Sequence, residues 1–432
     1  MLPLIVPIGA VLLGVALLLL GSGLLNTLLA VRGSLEGYSD SSLGLIMSGY
    51  FLGYFSGTFA ALPLIRRVGH IRAFAMCAAL AACSALLHVM FVEPWVWMAL
   101  RVMNGFVLVI LYTVVESWLN GQTPAEQRGR VFAVYMAINL GALAAAQQLL
   151  RLESAMSFML FAIAAMLISV SLVPVTWTRF AQPPVETVSR LRFKALYKAA
   201  PVSVAGALLS GLAMGAFWGL GPVYASRVGL DSASVATFMS VAILGGALFQ
   251  YPLGRYSDTH DRRTVLAVIC VAAAIAAVLV WLSSGTPSLL YMAIGIYGGL
   301  AFCAYPVALA HLIDRLDADK ILSGGSSALF LHGVGAAIGP ALAGQLMELL
   351  GPRSLPFYFV IMQVALALYT FMRLHVVRED LSDHSTHFVP MVRTSQVALE
   401  MMPEDEVEPG SEDDAHDSGT SQSEQPPDKP SS

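Results

Sequence analysis

Charge is what this chain is short of. Only 12% of its 432 residues are Asp, Glu, Lys or Arg, against 57% hydrophobic, and mean hydropathy is +0.71. A soluble protein of this length could not cover its surface with so few charged groups, which excludes an ordinary water-soluble enzyme or binding protein. Cysteine is scarce as well. Cys77, Cys83, Cys270 and Cys303 all fall inside apolar runs, where they read as small packing residues and not as a disulfide framework. No metal-ligand cluster, catalytic triad or phosphate-cradling loop is evident, and the run Ser323-Gly324-Gly325-Ser326 lacks the lysine of a nucleotide loop. No cofactor, metal, enzymatic chemistry or nucleic-acid partner is therefore expected, and the chain alone is not expected to hydrolyse ATP.

What is plentiful is long apolar runs. They fall at about 2–31, 42–65, 73–91, 94–119, 131–150, 155–177, 201–226, 234–254, 264–283, 287–312, 323–347 and 355–376. Each is long enough to cross roughly 30 Å of hydrocarbon as a helix. The first run has no basic flank or small-residue cleavage pattern, so it reads as a spanning helix and not a secretory signal. Short connections make neighbouring helices antiparallel. The longest internal connection, 178–200, carries Pro183-Pro184 and then Arg190, Arg192, Lys194 and Lys198, a cluster suited to anchoring at an anionic leaflet.

The expected organisation is a six-helix bundle over 1–177, a linker over 178–200, a second six-helix bundle over 201–377 and a tail over 378–432. A shift of 196 carries Arg66-Arg67 onto Arg262-Arg263 and most first-half runs onto second-half ones, and aligning the charged turns by motif gives 192. That near-constant offset predicts two parallel repeats, an all-α membrane protein with pseudo-symmetric halves. Of 21 Lys and Arg residues up to position 377, sixteen lie on the side of the 66–72, 128–130, 178–200, 255–263 and 315–320 loops. Basic loops stay inside, so both termini are expected in the cytoplasm. The tail holds 14 of the 28 acidic residues and reads as a solvated, largely disordered extension.

The stretch Gly254 to Arg263, G-R-Y-S-D-T-H-D-R-R, is a charged turn wedged between two spans. Asp258, Asp261, Arg262 and Arg263 cannot enter hydrocarbon cheaply and so mark a membrane face. Its first-half counterpart holds Arg66, Arg67, Gly69 and Arg72. On these residues the chain resembles the major facilitator superfamily, whose signature loop follows the second helix of each half. The second-half loop matches well, with Asp261 standing where the family usually has a second Gly. The first-half loop has Arg66 where the family usually has Asp and His70 where it has a basic residue. The runs G-Y-F-L-G-Y-F-S-G, L-I-R-R-V-G-H-I-R-A-F, V-E-S-W-L-N and R-G-R-V look like the YcaD-like branch of bacterial transporters, over essentially the whole chain to about residue 400. The resemblance implies a secondary transporter in the bacterial cytoplasmic membrane, alternating by rocking of its halves. Its signature loops would latch helix two to eleven and helix eight to five.

Four positions on the fourth helix carry intramembrane chemistry. Arg101, Asn104 and Gly105 form an R-x-x-N-G pattern, and Glu116 lies about 22 Å further along at 1.5 Å per residue, on nearly the same stripe. The pattern resembles the fourth-helix motif of proton-coupled family members, which implies a coupling role for Arg101. A structural arginine bonded to carbonyls or to Asn26 is the alternative. Glu116 is expected to pair with the Arg66, Arg67 and Arg72 turn, a proton-carrying role being the lesser reading. The eleventh helix reads H-G-V-G-A-A-I-G-P-A-L-A-G from His332, similar to the family's antiporter motif but not in the fifth helix, so direction stays open. His332 is a third coupling candidate.

Asn26, Tyr50, Tyr54, Tyr112, Asn139, Gln147, Trp218, Tyr224, Gln250, Tyr297 and Tyr305 are expected to face a central cavity suited to a small organic solute of mixed polarity. Expected partners are that solute, protons and the lipid bilayer, with the protein a monomer. The rival function is a non-transporting receptor or scaffold on the same fold, using its acidic tail.

Overall fold

The computed structural model describes residues 2–177, 191–376, 388, 391 and 395–401. Among them twelve helices are long and apolar enough to cross a membrane. We number them α1 (Ile8–Leu35), α2 (Asp40–Val68), α3 (His70–Met90), α4 (Pro94–Gln122), α5 (Arg128–Arg151), α6 (Phe158–Trp177), α7 (Pro201–Arg227), α8 (Ser232–Asp258), α9 (Arg262–Leu282), α10 (Pro287–Ile313), α11 (Ile321–Leu350) and α12 (Ser354–His375). The helical backbone of α1 begins earlier, at Leu2. The start of α1 and the end of α12 share one face of the bundle, called here the terminal face.

Local chemistry sets the boundaries. The Ser39 hydroxyl accepts from the Ser42 amide to cap α2, and the Asp231 carboxylate accepts from the Ser234 amide to cap α8. At Gly69 the chain turns from α2 into α3 with φ of +85°, a conformation that favours glycine. The connection ahead of α7 is described from residue 191 and holds a short helix, Phe193–Ala199. Residues 178–190 of the expected 178–200 linker and most of the acidic tail lie outside the described residues.

Helix pairing repeats between the halves. α2 packs along α4, and α8 along α10. At the first crossing a Cβ on Gly53 would come within 1.9 Å of the Val102 carbonyl oxygen, and one on Gly105 within 1.9 Å of the Tyr50 carbonyl oxygen. At the second, a Cβ on Gly245 would meet the Gly295 carbonyl oxygen at 2.1 Å. Gly245 lies 192 residues after Gly53, the shift read from the charged turns. Backbones touching this closely compensate, through van der Waals contact, for the weak hydrophobic drive between helices in lipid. Between the halves, α2 packs on α11, α5 on α8 and α1 on α7.

Candidate substrate cavity and gates

A cavity of about 130 Å³ lies between the halves. Its walls come from Tyr50, Phe51, Tyr54, Phe55 and Thr58 of α2, Met214 and Trp218 of α7, Phe302 and Tyr305 of α10, and Phe330 and His332 of α11. None of its lining residues is Asp, Glu, Lys or Arg. Trp218 stands edge-on to Phe302 at 5.7 Å, and His332 lies 4.3 Å from the Tyr305 ring with Nδ1 3.2 Å from the Ser210 hydroxyl. The Tyr305 hydroxyl is buried and meets no hydrogen-bond partner among the described residues.

Four of the eleven residues expected at a cavity line this one: Tyr50, Tyr54, Trp218 and Tyr305. The other seven do not, because helices that are apolar all round give no periodicity to say which face is inward. Tyr112 sits behind Tyr54, ring centroids 6.2 Å apart. Asn139 and Gln147 each donate to a carbonyl one turn back on α5, and Gln147 also accepts from Thr27 at 2.5 Å. Tyr224 donates to Val280, Gln250 to Phe302, and Tyr297 stacks on Phe359 at 4.9 Å. Asn26 becomes part of a relay.

That relay starts at Arg101, which is 1% exposed. Its Nη2 donates to Asn26 Oδ1 at 2.6 Å, and Asn26 Nδ2 donates to the Trp218 carbonyl at 2.9 Å. The guanidinium also lies 4.5 Å over the Tyr50 ring, so one side chain of the cavity wall separates it from the cavity. Asn104 donates to Ser84 on α3, and Gly105 makes the α2 crossing. A charge from the first half is thus joined to the backbone of the second.

Glu116 is fully buried, and its partners differ from the expectation. Its carboxylate accepts from the Tyr135 hydroxyl at 3.0 Å, from the Ser395 amide at 2.9 Å and, over a short contact, from the Ser395 hydroxyl. It therefore binds the chain's own tail, not the Arg66, Arg67 and Arg72 turn. Those three arginines are exposed at the terminal end of α2 and the start of α3. Beside them His70 stacks on Trp118 and meets the Ser117 hydroxyl at 3.0 Å.

The second-half turn builds a compact ion network. Arg262, 3% exposed, donates through Nε to Asp314 at 2.6 Å and through Nη1 to Asp258 at 3.1 Å. Arg263 meets Asp261 at 3.3 Å. These pairs tie α8 and α9 to the end of α10 within one half, where the expected latch would run from α8 to α5. Asp314 was not anticipated. Its signal in the sequence was a carboxylate at the terminal end of the tenth run.

Contacts across the halves concentrate on the opposite face. Arg227 pairs with Asp40 at 3.0 Å and donates to the Tyr38 carbonyl at 2.7 Å. Gln148 donates to Ser240 at 2.6 Å, Arg151 to Thr237 at 2.5 Å, and the Ala341 amide to Ser48 at 3.0 Å. Further toward the terminal face, the rings of Phe55 and Phe330 meet at 4.7 Å. With these polar bridges joining the halves on the opposite face, the arrangement matches a carrier closed there.

The chain matches the family model of the Major Facilitator Superfamily over residues 11–321 and 203–397. It is 27% identical over 344 residues to the uncharacterized MFS-type transporter YcaD of Salmonella heidelberg strain SL476, covering 79% of this chain and 89% of that one. The YcaD of Escherichia fergusonii is as similar, 27% over 344 residues with the same coverage. Among solved structures, the nucleoside transporter NupG aligns with a TM-score of 0.68 at 14% identity, covering 85% of this chain and 99% of that one. A bacterial homologue of the human lysosomal transporter Spinster, inward-facing and occupied, aligns at 0.68 and 14%, covering 88% and 98%. With the family model spanning both halves and twelve helices paired as two repeats, the chain belongs to the Major Facilitator Superfamily of transporters.

Proposed function

We propose that this transporter carries an uncharged, partly aromatic organic solute and couples its movement to protons. The observation that carries the solute class is the charge-free, aromatic wall of the cavity. An ionic solute in so apolar a space would lose its hydration without a counter-charge, at a cost of several kcal/mol. A flat, weakly polar solute can stack on Trp218 and Tyr54 and bond to the hydroxyls of Tyr50, Tyr54 and Tyr305.

The coupling reading rests on Arg101. A cation held under Tyr50 and wired through Asn26 to Trp218 responds to any change of charge or packing at the cavity wall. The terminal face is cytoplasmic on this reading, since sixteen basic residues lie on its side, fifteen in its loops and Arg373 at the end of the last helix, and the bridged opposite face looks outward. Transport then requires the Arg227–Asp40 and Gln148–Ser240 bridges to open as the terminal side closes. Solute or proton binding need supply only a few kcal/mol for that exchange.

The test is a screen of neutral aromatic solutes by thermal shift on the purified full chain at two pH values. Hits are then assayed for flux into proteoliposomes bearing a pH gradient. A hit whose flux collapses with the gradient and is lost in Arg101→Ala supports the reading. Flux indifferent to the gradient removes proton coupling, and binding confined to permanently charged solutes removes the solute class.

A further inference from the structure

Part of the tail enters the transporter. Met391 lines the central cavity and is 5% exposed. Ser395 fills the acceptor sites of Glu116 on α4 with both its amide and its hydroxyl. From there a short 3₁₀-helix, Gln396–Met401, lies against α4, α5 and α11, with Val397, Ala398 and Leu399 buried. Leu399 packs on Gly325, where an added Cβ would approach its Cδ1 to 3.0 Å. The Phe388 amide donates to Asp258 Oδ1 at 2.9 Å, and its ring covers Gly254, where a Cβ would sit 2.1 Å from Cδ1.

These contacts reach both halves. α4 and α5 belong to the first, α8 and α11 to the second. They also use the residues at which the terminal side would be expected to close: the buried Glu116 and, in the signature turn, Gly254 and Asp258. We propose that the part of the tail carrying Phe388, Met391 and residues 395–401 is an autoinhibitory wedge that holds the carrier closed on the opposite face by occupying the cleft on the terminal face. Glu116 is its anchor, and the cycle runs only when the segment withdraws. This rests on the alternating-transporter reading above. The physical case is steric and polar together. Three buried apolar side chains and Met391 occupy volume that α4 and α11 need in order to meet, and withdrawal leaves Glu116 in need of another donor or a proton.

The sequence is consistent with such a role. An apolar run, F-V-P-M-V at 388–392 and V-A-L at 397–399, interrupts an otherwise acidic tail. Composition alone reads the whole tail as a solvated extension, and the packing of 395–401 corrects that for this segment.

The experiment compares three forms of the chain in liposomes: full length, truncated after residue 387, and full length with Leu399→Glu. The four natural cysteines are replaced by alanine, and nitroxides are attached at Leu35→Cys and Leu350→Cys, exposed positions at the opposite-face ends of α1 and α11. Electron–electron double resonance then reads the separation of the two halves on that face. The full chain should show the short distance with at most a small share of a longer one. Both altered forms should show the longer one with a share of the population about tenfold higher or more. Adding a synthetic peptide of residues 385–404 to the truncated chain should restore the short distance. Identical distributions in all three forms overturn the wedge, and so does a longer distance that the peptide leaves untouched. If all forms show the same two distances, alternation stands and only the wedge falls. If all show one fixed distance, the wedge falls too, and the flux assay decides alternation separately.

Discussion

Arg101 on α4 donates to Asn26 on α1 at 2.6 Å, and Asn26 in turn donates to the backbone of Trp218 in the other half. The sequence admits either a coupling arginine or a structural one held by Asn26. The geometry shows that the two readings share a single set of bonds. A group that stabilises the fold by bridging the halves is also placed to sense their relative movement.

Asn26→Leu should therefore damage both. It removes the acceptor from a buried guanidinium, and a hydrogen bond to a charged group is worth about 1.5–3 kcal/mol. A lower unfolding temperature in detergent is expected, with Asn26→Asp retaining most of it. An unchanged melting temperature for the leucine variant would show that Arg101 is held by its other contacts.

On the opposite face the Arg227–Asp40 pair is only partly shielded, its side chains 29% and 10% exposed. Solvent screening limits such a pair to about 1 kcal/mol. Asp40→Asn should thus raise the population opened on that face by about fivefold, without loss of folding. Alkylation rates of a cysteine placed at Ser48, whose hydroxyl accepts from the Ala341 amide across the halves, would report it.

The α2–α4 crossing gives a sharper contrast. Gly105→Ala drives a methyl group into the Tyr50 carbonyl, whereas Gly141→Ala meets nothing within 4 Å. The first should cost about 1–3 kcal/mol or more through forced separation of the helices, and the second should be silent. Yield and monodispersity after extraction would separate them.

Asp314 should matter as much as the residues of the signature turn. Asp314→Ala leaves the buried Arg262 with one fewer carboxylate, and breaking a buried pair typically costs about 3–5 kcal/mol. Retention of Asp258 puts the expected loss toward the lower end of that range. A thermal unfolding series with Asp258→Ala and the double variant would give the coupling between the two carboxylates.

The cap at Asp231 carries a pH signature. Its carboxyl is held below the usual range chiefly by the Ser234 contacts at the start of α8. A depressed folded value means the cap's contribution is present above the ordinary carboxylate range and is lost as pH falls through the lower folded value. Asp231→Ala should cost about 1 kcal/mol near neutrality and little in acid, as read by melting temperature against pH.

How much of this was legible in the sequence follows from what each feature depends on. The number, order and length of the spans were readable, because burial in hydrocarbon is a demand on each run separately. So were the two repeats, since the 192-residue shift that aligns the charged turns also aligns Gly53 with Gly245. The cavity wall was not. Tyr54 and Tyr112 are alike in composition and spacing, yet only Tyr54 faces the cavity, because the rotation of an all-apolar helix is set by its neighbours. Glu116 was recognised as an unusual carboxylate, but its partner Ser395 lies 279 residues away. The run of residues thus determined a twelve-span, two-repeat membrane protein with charged turns on one face. Only tertiary packing decided which polar groups meet, because contacts between distant segments depend on helix rotation and on where the tail comes to rest, and neither is written in local pattern.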